Sequence, residues 1–259
     1  MTSKEIKKPS KLRLTVILLI LAVLYGFSYQ GVDADFQELI EGLPNIANLA
    51  AELADVQWGF FAEIIDPMLE TVQMALIGTT LGALFGIPLI LLASNNVIKN
   101  KSVVVTARMI LNFVRTIPDL LLASLFVAVF GIGPFAGVMA LFIFSFGIIT
   151  KLGYEAVETI DPGPLEAMTS VGANKLQFIS FAVVPQALPA FVAHFLYTLE
   201  VCVRASAILG YVGAGGIGMV LKTELDMFQY GNVAAIILFT LVIVIIIDTI
   251  STSIRERLL

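Results

Sequence analysis

Long apolar runs separated by short polar stretches set the hydrophobic pattern of this chain. A helix rises ~1.5 Å per residue, so runs of this kind can cross the ~30 Å of a bilayer core, with tilt or a break. The pattern predicts six transmembrane helices, at about residues 14–29, 67–94, 103–130, 135–150, 187–209 and 233–252. The third is interrupted at Arg115 to Asp119, because Pro118 cannot continue a helix. An all-α integral membrane protein is therefore expected.

The composition supports a membrane location. Hydrophobic residues make up 58% of the 259 residues and charged residues only 14%, and a soluble domain could not bury that much apolar surface. Most Lys and Arg fall at the two ends of the chain, in the 95–102 loop and in the 151–186 region, which the six spans place on one side of the membrane. Lys222, between the fifth and sixth spans, falls on the opposite side of the membrane. Since Lys and Arg concentrate in cytoplasmic loops, both termini are predicted to be cytoplasmic in a multi-pass cell (inner) membrane protein.

Residues 1–66 are predicted to form a region of their own, ahead of a core at 67–259. The first apolar run resembles a signal peptide, but no clear small-residue cleavage site follows, which favours a transmembrane helix. Residues 30–66 then carry eight acidic residues and no Lys or Arg. Their apolar residues recur at helical spacing, with an interruption expected near Gly42 to Pro44. This indicates an external amphipathic segment along the membrane surface; a plain solvated loop is the open alternative.

Several kinds of chemistry are excluded or disfavoured by what the sequence contains. One cysteine, Cys202, and one histidine, His194, leave no disulfide framework and no His/Cys metal cluster. No Gly-Lys pair occurs, so there is no phosphate-binding P-loop, and no catalytic triad or cofactor site is expected in this chain. Gly213 to Gly218 matches G-x-G-x-x-G, but it follows a membrane helix rather than a strand, so a close-packed turn is predicted.

Small residues mark a predicted helix contact in the second span. Gly78, Gly82 and Gly86 recur every four residues and so lie on one face of a helix. Stripes of this kind let two membrane helices approach closely. We expect a neighbouring span to pack against this face.

A polar stretch at 155–189 separates the fourth and fifth spans. Asp161-Pro162-Gly163-Pro164 cannot continue a helix, because both prolines lack an N–H and restrict the residue before them. Beyond them, apolar residues recur as in a short amphipathic helix: Leu165, Met168, Val171, Leu176 and Ile179. Gly172 is expected to break this helix with a left-handed turn or a close approach. The alternative is an ordinary surface helix-turn-helix between two membrane spans, without a specific function.

This stretch resembles the EAA loop of permeases of ATP-binding-cassette (ABC) importers. Glu166, Ala167, Gly172 and Pro185 keep the family residues at the family spacing, while Met168, Ala182 and Val184 replace an alanine, an isoleucine and a leucine. The resemblance implies a type I importer permease whose cytoplasmic helix pair docks on a separate ATPase. Glu166, Ala167, Met168, Gly172 and Pro185 are then the expected coupling residues, and ATP and Mg would be bound by that ATPase rather than by this chain.

Two further stretches are similar to permeases of the phosphonate-uptake branch. They are Arg115-Thr116-Ile117-Pro118, also similar to the methionine type, and the segment from Glu200 and Arg204 through Gly210 to Gly218. The resemblance covers about residues 67–255 and implies uptake of phosphonate, phosphite or phosphate. It also implies a second permease chain, identical or a close paralogue, a pair of ATPases and an external substrate-binding protein. A permease for another substrate such as methionine, a stand-alone channel and an ion-coupled carrier are the alternatives.

Charged residues inside the predicted spans are the candidate pathway residues. Glu200 and Arg204 lie four apart on one face of the fifth span, with Arg204 roughly 25 Å above Ala187 at 1.5 Å per residue, in the outer half. A charge in a span usually faces the bundle interior or a water-filled cavity. Arg204, tethered by Glu200, would favour an incoming anion; a pair that only fixes helix packing is the alternative. Arg115 and Ser206 are further candidates.

Overall fold

A computed structural model describes residues 11–31 and 36–258, with side chains described except at 36–39. Over these ranges the chain forms eleven α-helices and no strand. They are α1 Lys11–Gly31, α2 Phe36–Ala54, α3 Ile65–Ala93, α4 Lys101–Arg115, α5 Asp119–Phe130, α6 Pro134–Glu158, α7 Pro162–Ser170, α8 Lys175–Phe178, α9 Val184–Gly210, α10 Ile217–Asp226 and α11 Tyr230–Leu258. A 3₁₀ turn at Trp58–Ala62 and a π-helical turn at Ile179–Val183 complete the described structure. The predicted all-α fold is confirmed.

The chain divides into two compact units, Met1–Ala51 and Glu52–Leu259. In the first unit, α1 has no buried residue along its whole length. The acidic segment forms the helix α2, so the plain solvated loop is excluded there. The interruption predicted near Pro44 is wrong, because α2 runs through it. A proline removes one backbone donor and strains a helix without always ending it.

The second unit is built around a close contact between α3 and α6. A Cβ at Gly78 would lie 2.7 Å from the Leu141 Cβ, and one at Gly82 would lie 2.7 Å from the Phe146 backbone nitrogen. The partner numbers rise together along both helices, so α3 and α6 run in the same direction. The glycine stripe therefore makes the helix contact that its spacing predicts.

The predicted third span is two helices. α4 and α5 meet at an angle of 79°, with the break at residues 116–118. Pro118 is the N-cap of α5 in extended backbone, which stops α4 from continuing. The interruption predicted at Arg115 to Asp119 is thus confirmed, and the bend is sharp.

α9 runs antiparallel to α3 and α6. Near its start, Val183 and Ala187 pack in one cluster with Ile90, close to the end of α3. Past its other end, the Gly216 N–H donates to Glu70 Oε1 at 2.9 Å, close to the beginning of α3. The bundle therefore has a loop end, which holds residues 94–100 and 159–183, and an opposite end at the turn 211–216.

The glycine-rich segment at 213–218 forms the close-packed turn that was predicted. Gly213, Gly215 and Gly216 have φ of +94°, +86° and +69°, backbone angles that suit glycine. A Cβ at Gly210 would lie 2.7 Å from the Gly218 Cα, so α9 and α10 nearly touch. The turn follows a helix, not a strand, as expected for a packing element.

Five described helical segments are long and apolar enough to cross a membrane: Lys11–Gly31, Ile65–Ala93, Pro134–Glu158, Lys175–Gly210 and Tyr230–Leu258. The number becomes six if the bent pair α4–α5 crosses as one span. This agrees with the six predicted spans.

The second compact unit, Glu52–Leu259, begins before the predicted core at residue 67. Ahead of α3, the Gln57 N–H donates to the Gly231 carbonyl, and the Phe61 ring packs on Phe239 of α11.

Candidate functional site

The polar stretch between the fourth and fifth spans is a helical hairpin with strong local signals. Asp161 is the N-cap of α7, and its side chain accepts from the Gly163 N–H at 2.9 Å. The prolines that follow occupy the first turn of α7, where a missing N–H is tolerated. Asn174 and Gln177 form a reciprocal capping box at the start of α8. We call residues 159–183 the coupling loop.

Gly172 makes the turn between the two short helices. Its φ is +72°, the left-handed region, and the Ala173 N–H returns to the Met168 carbonyl at 3.0 Å. A Cβ at Gly172 would meet no atom within 4 Å. The glycine is therefore required by backbone conformation and not by crowding within this chain.

The apolar stripe of the coupling loop divides between two surroundings. Leu165 and Ile179 pack against the core cluster of the loop end. Val171 and Leu176 stay 77% and 76% exposed. Glu166 and Ala167 are also exposed, whereas Met168 is half-buried. A single amphipathic stripe would bury all five apolar residues; the turn at Gly172 directs two of them outward.

Side chains attach the coupling loop to the membrane helices. Lys175 donates to the Val97 carbonyl in the loop between α3 and α4. Gln186, on α9, accepts from the Asp161 N–H at 3.1 Å and donates to the Ala182 carbonyl at 2.7 Å. The coupling loop is thus bonded to the α3–α4 loop and to α9.

Pro185 lies where the coupling loop becomes α9. It has no N–H, and just before it the Val184 N–H bonds the Ile179 carbonyl, five residues back, which defines the π-helical turn. The last segment of the coupling loop therefore continues into the span as one helical segment, Lys175–Gly210. The predicted coupling residue Pro185 lies in the first turn of α9.

A further network ties three helices together beside the coupling loop. The Arg108 guanidinium donates twice to the Ala93 carbonyl, at 2.9 and 2.8 Å, and forms an ion pair with Glu158 at 2.5 Å. Glu158 also accepts from the Asn95 N–H at 2.7 Å. The ends of α3 and α6 are thus joined through α4. Sequence analysis gave Arg108 no role, because its partners are 15 and 50 residues away.

The predicted pair Glu200 and Arg204 is present on α9. Glu200 Oε1 and Arg204 Nη1 are 2.5 Å apart; the Glu200 side chain is 8% exposed and that of Arg204 48% exposed. Arg255, in the last turn of α11, is a second cation near the same carboxylate, 3.5 Å from Glu200 Oε2. Sequence analysis missed this contact, because 55 residues separate the two positions.

The other two candidates lie apart from this pair. Arg115 ends α4 beside a cavity of about 300 Å³ at the α4–α5 break, and its Cγ lies close to Gly147 of α6. Ser206 is buried, and its hydroxyl has no hydrogen-bond partner in the described part of the chain. No described contact joins Arg115 or Ser206 to Glu200.

Comparisons with known proteins agree with this architecture. A family model for the binding-protein-dependent transport system inner membrane component matches residues 78–259. The phosphite transport system permease protein PtxC of Stutzerimonas stutzeri is 37% identical over 235 residues, which cover 91% of this chain and 85% of that protein. The phosphate-import permease protein PhnE of Mycolicibacterium smegmatis is 38% identical over 221 residues, 85% of this chain and 42% of that protein.

The fold also matches a solved structure. A chain of the MetNI methionine ABC transporter, in an inward facing conformation, superposes with a TM-score of 0.69 at 24% identity. The match covers 76% of this chain and 96% of that chain, and at this identity it supports the fold alone. Together with the family match over most of the chain, these findings confirm the predicted resemblance: the chain belongs to the family of inner membrane permease components of binding-protein-dependent ABC transport systems.

Proposed function

We propose that this permease forms the pathway of an importer for a phosphorus oxyanion, that is phosphonate, phosphite or phosphate. The observation that carries the proposal is the half-exposed guanidinium of Arg204, held on the buried carboxylate of Glu200 within a membrane helix. Arginine suits such anions because its planar donors can bind two oxygen atoms at once. Relatives that carry phosphite and phosphate support this substrate class over methionine.

Arg115 is a second candidate contact of the same pathway. It lies at a sharp helix break beside a cavity, and discontinuous membrane helices commonly contribute to binding sites in transporters. Ser206 is the third candidate, and its buried hydroxyl has no hydrogen-bond partner in the described part of the chain.

A separate ATPase is the proposed partner at the coupling loop. Val171 and Leu176 expose most of their apolar side chains on this loop, and covering them would be favourable. The proposed coupling residues are Glu166, Ala167, Met168 and Gly172 in this loop, together with Pro185 just beyond it in the first turn of α9. ATP and Mg would be bound by this partner, and the permease itself would catalyse no reaction.

Two permease chains are proposed for one transporter. Each chain carries one coupling loop, whereas an ABC transporter has two ATPases, so a second chain must supply the other docking site. An external substrate-binding protein would deliver the anion at the opposite end of the bundle. This places the coupling loop and both termini in the cytoplasm and the acidic helix α2 outside.

Uptake by cells tests the proposal. A strain without its own phosphate and phosphite uptake, expressing this permease with its ATPase and binding protein, should accumulate radiolabelled phosphate or phosphite. An ATPase that cannot hydrolyse ATP should abolish the uptake. Uptake that persists with the inactive ATPase would instead favour a channel or an ion-coupled carrier. Accumulation of methionine in place of the anions would contradict the substrate class.

A further inference from the structure

Two membrane helices bring two guanidinium groups to the carboxylate of Glu200. Its two carboxylate oxygens face different guanidinium groups, Arg204 at 2.5 Å on α9 and Arg255 at 3.5 Å on α11. Ser251 lies one helical turn before Arg255 and so shares its helix face. Its residue exposure is 3%. These four residues are called the α9–α11 cluster.

The α9–α11 cluster contains more donors than acceptors. Each guanidinium has five N–H donors. Arg255 donates from Nη2 to Thr252 Oγ1 at 3.0 Å, but its Nε is buried without a hydrogen-bond partner in the described residues. The buried hydroxyl of Ser251 also lacks a partner among them. Unpaired buried donors are unfavourable, so the arrangement is suited to a further acceptor.

Positive charge exceeds negative charge among the four residues of the cluster. Two guanidinium groups face the single buried carboxylate of Glu200. Asp248, 3.9 Å from Arg255, offsets part of this positive charge from the exposed side, and solvent screens it there because its side chain is 53% exposed.

We propose that Arg255 and Ser251 complete, with Arg204, a binding site for a tetrahedral phosphorus oxyanion, and that Glu200 holds both guanidinium groups in place. This rests on the proposed function, whose pathway residue Arg204 it shares. Several oxygen atoms on one small anion can accept from both guanidinium groups and from the Ser251 hydroxyl. A transport pathway must also release its ligand, and the carboxylate of Glu200 limits how tightly the anion is held.

The Ser251→Ala variant separates this site from a packing cluster. A buried hydroxyl without a hydrogen-bond partner is unfavourable, so its removal should leave stability nearly unchanged or raise it. A hydroxyl that binds the anion should, when removed, raise the half-saturating concentration of phosphate about two- to tenfold. Arg255→Gln should raise it about ten- to a hundredfold, and Arg255→Lys should recover part of the loss. Arg257→Gln, an exposed site on the same helix, is the matched control and should behave as the wild type.

The measurement uses the complete transporter in cells, with radiolabelled inorganic phosphate and phosphite as probes. Assembly with the ATPase and the unfolding temperature of each purified complex are measured in parallel. Ser251→Ala with a raised half-saturating concentration and undiminished stability supports the site, even if Arg255→Gln fails to assemble. Normal half-saturation in Ser251→Ala, or in an assembled Arg255→Gln, overturns it. If Arg204→Gln loses uptake while both of these transport normally, the proposed function stands without this site. A wild type that accumulates neither anion refutes both.

Discussion

The Arg108 guanidinium and the Glu158 carboxylate lie 2.5 Å apart and join α4 to the end of α6 beside the coupling loop. Both side chains are about a quarter exposed, at 29% and 26%, so water screens the pair only partly. The same guanidinium donates to the Ala93 carbonyl at the end of α3. One side chain in the middle of α4 therefore holds the ends of α3 and α6 together.

Glu158→Gln is expected to lower the stability of the permease. The change removes a charge-assisted contact to Arg108 and weakens the bond from the Asn95 N–H, a loss of about 1–3 kcal/mol. The unfolding temperature of the purified complex in detergent measures it. Glu155→Gln on the same helix is the control, because the Lys151–Glu155 pair is a half-exposed i,i+4 pair worth about 0–1 kcal/mol. An equal effect of both variants would contradict the role of the Arg108 network.

Gly82→Ala is expected to disturb the α3–α6 contact. The new Cβ would lie 2.7 Å from the Phe146 backbone nitrogen, so the helices must separate, at about 1–3 kcal/mol. Unfolding temperature and yield of assembled protein should both fall. Gly26→Ala on α1, where a Cβ meets nothing within 4 Å, should leave both unchanged. If Gly82→Ala is as stable as Gly26→Ala, the close contact is not required.

Two substitutions at Gly172 separate backbone strain from contact with the ATPase. Ala adds strain in the left-handed region, about 1 kcal/mol, with little bulk. Asn tolerates that conformation but adds a larger side chain. No atom of this chain lies within 4 Å of a Cβ built at Gly172. If the ATPase packs closely against Gly172, the larger Asn side chain should therefore weaken co-purification of the ATPase more than Ala does. If only Ala weakens it, backbone conformation alone is responsible.

Glu166→Lys belongs to the same experiment. Reversal of an exposed charge on α7 should weaken ATPase binding and abolish uptake while the permease remains in the membrane. Full uptake by a mutant complex that still retains its ATPase would remove Glu166 from the coupling residues.

Arg204→Gln is expected to lose uptake in a complex that still assembles and still hydrolyses ATP, because the half-exposed guanidinium is the proposed anion contact. Arg204→Lys should retain part of the activity, since it keeps the charge but not the fork of donors. Uptake of radiolabelled phosphate and the ATPase rate of the purified complex provide the two measurements. Normal transport by Arg204→Gln, or its failure to assemble, would leave the pair a packing role.

Cysteine labelling tests the proposed orientation. In a Cys202→Ser background, an impermeant thiol reagent applied to intact cells should label Asn45→Cys on α2 but not Val171→Cys in the coupling loop. Both positions are exposed, so reactivity reports the side of the membrane. Permeabilised cells that express the permease without its ATPase, in which both cysteines should react, provide the control. Labelling of Val171→Cys alone in intact cells would reverse the topology.

Local rules determined much of this protein from the sequence alone. The length of each apolar run fixed the spans, because a helix that crosses a bilayer needs a minimum number of apolar residues. The break at Pro118 and the left-handed turn at Gly172 also followed from the sequence, since backbone limits on proline and glycine act within a few residues. The Glu200–Arg204 contact was predictable for the same reason, because four residues make one helical turn.

Tertiary structure alone decided the contacts between residues distant in the chain. Arg108 with Glu158, Gln186 with Asp161, and Arg255 with Glu200 have no signature in spacing, because the relative position of packed helices selects these partners. The same packing decided which apolar residues of the coupling loop are covered: Leu165 is partly buried against the core, whereas Val171, which comes just before Gly172, stays exposed. Periodicity specifies a helix face, and only the fold specifies what that face meets.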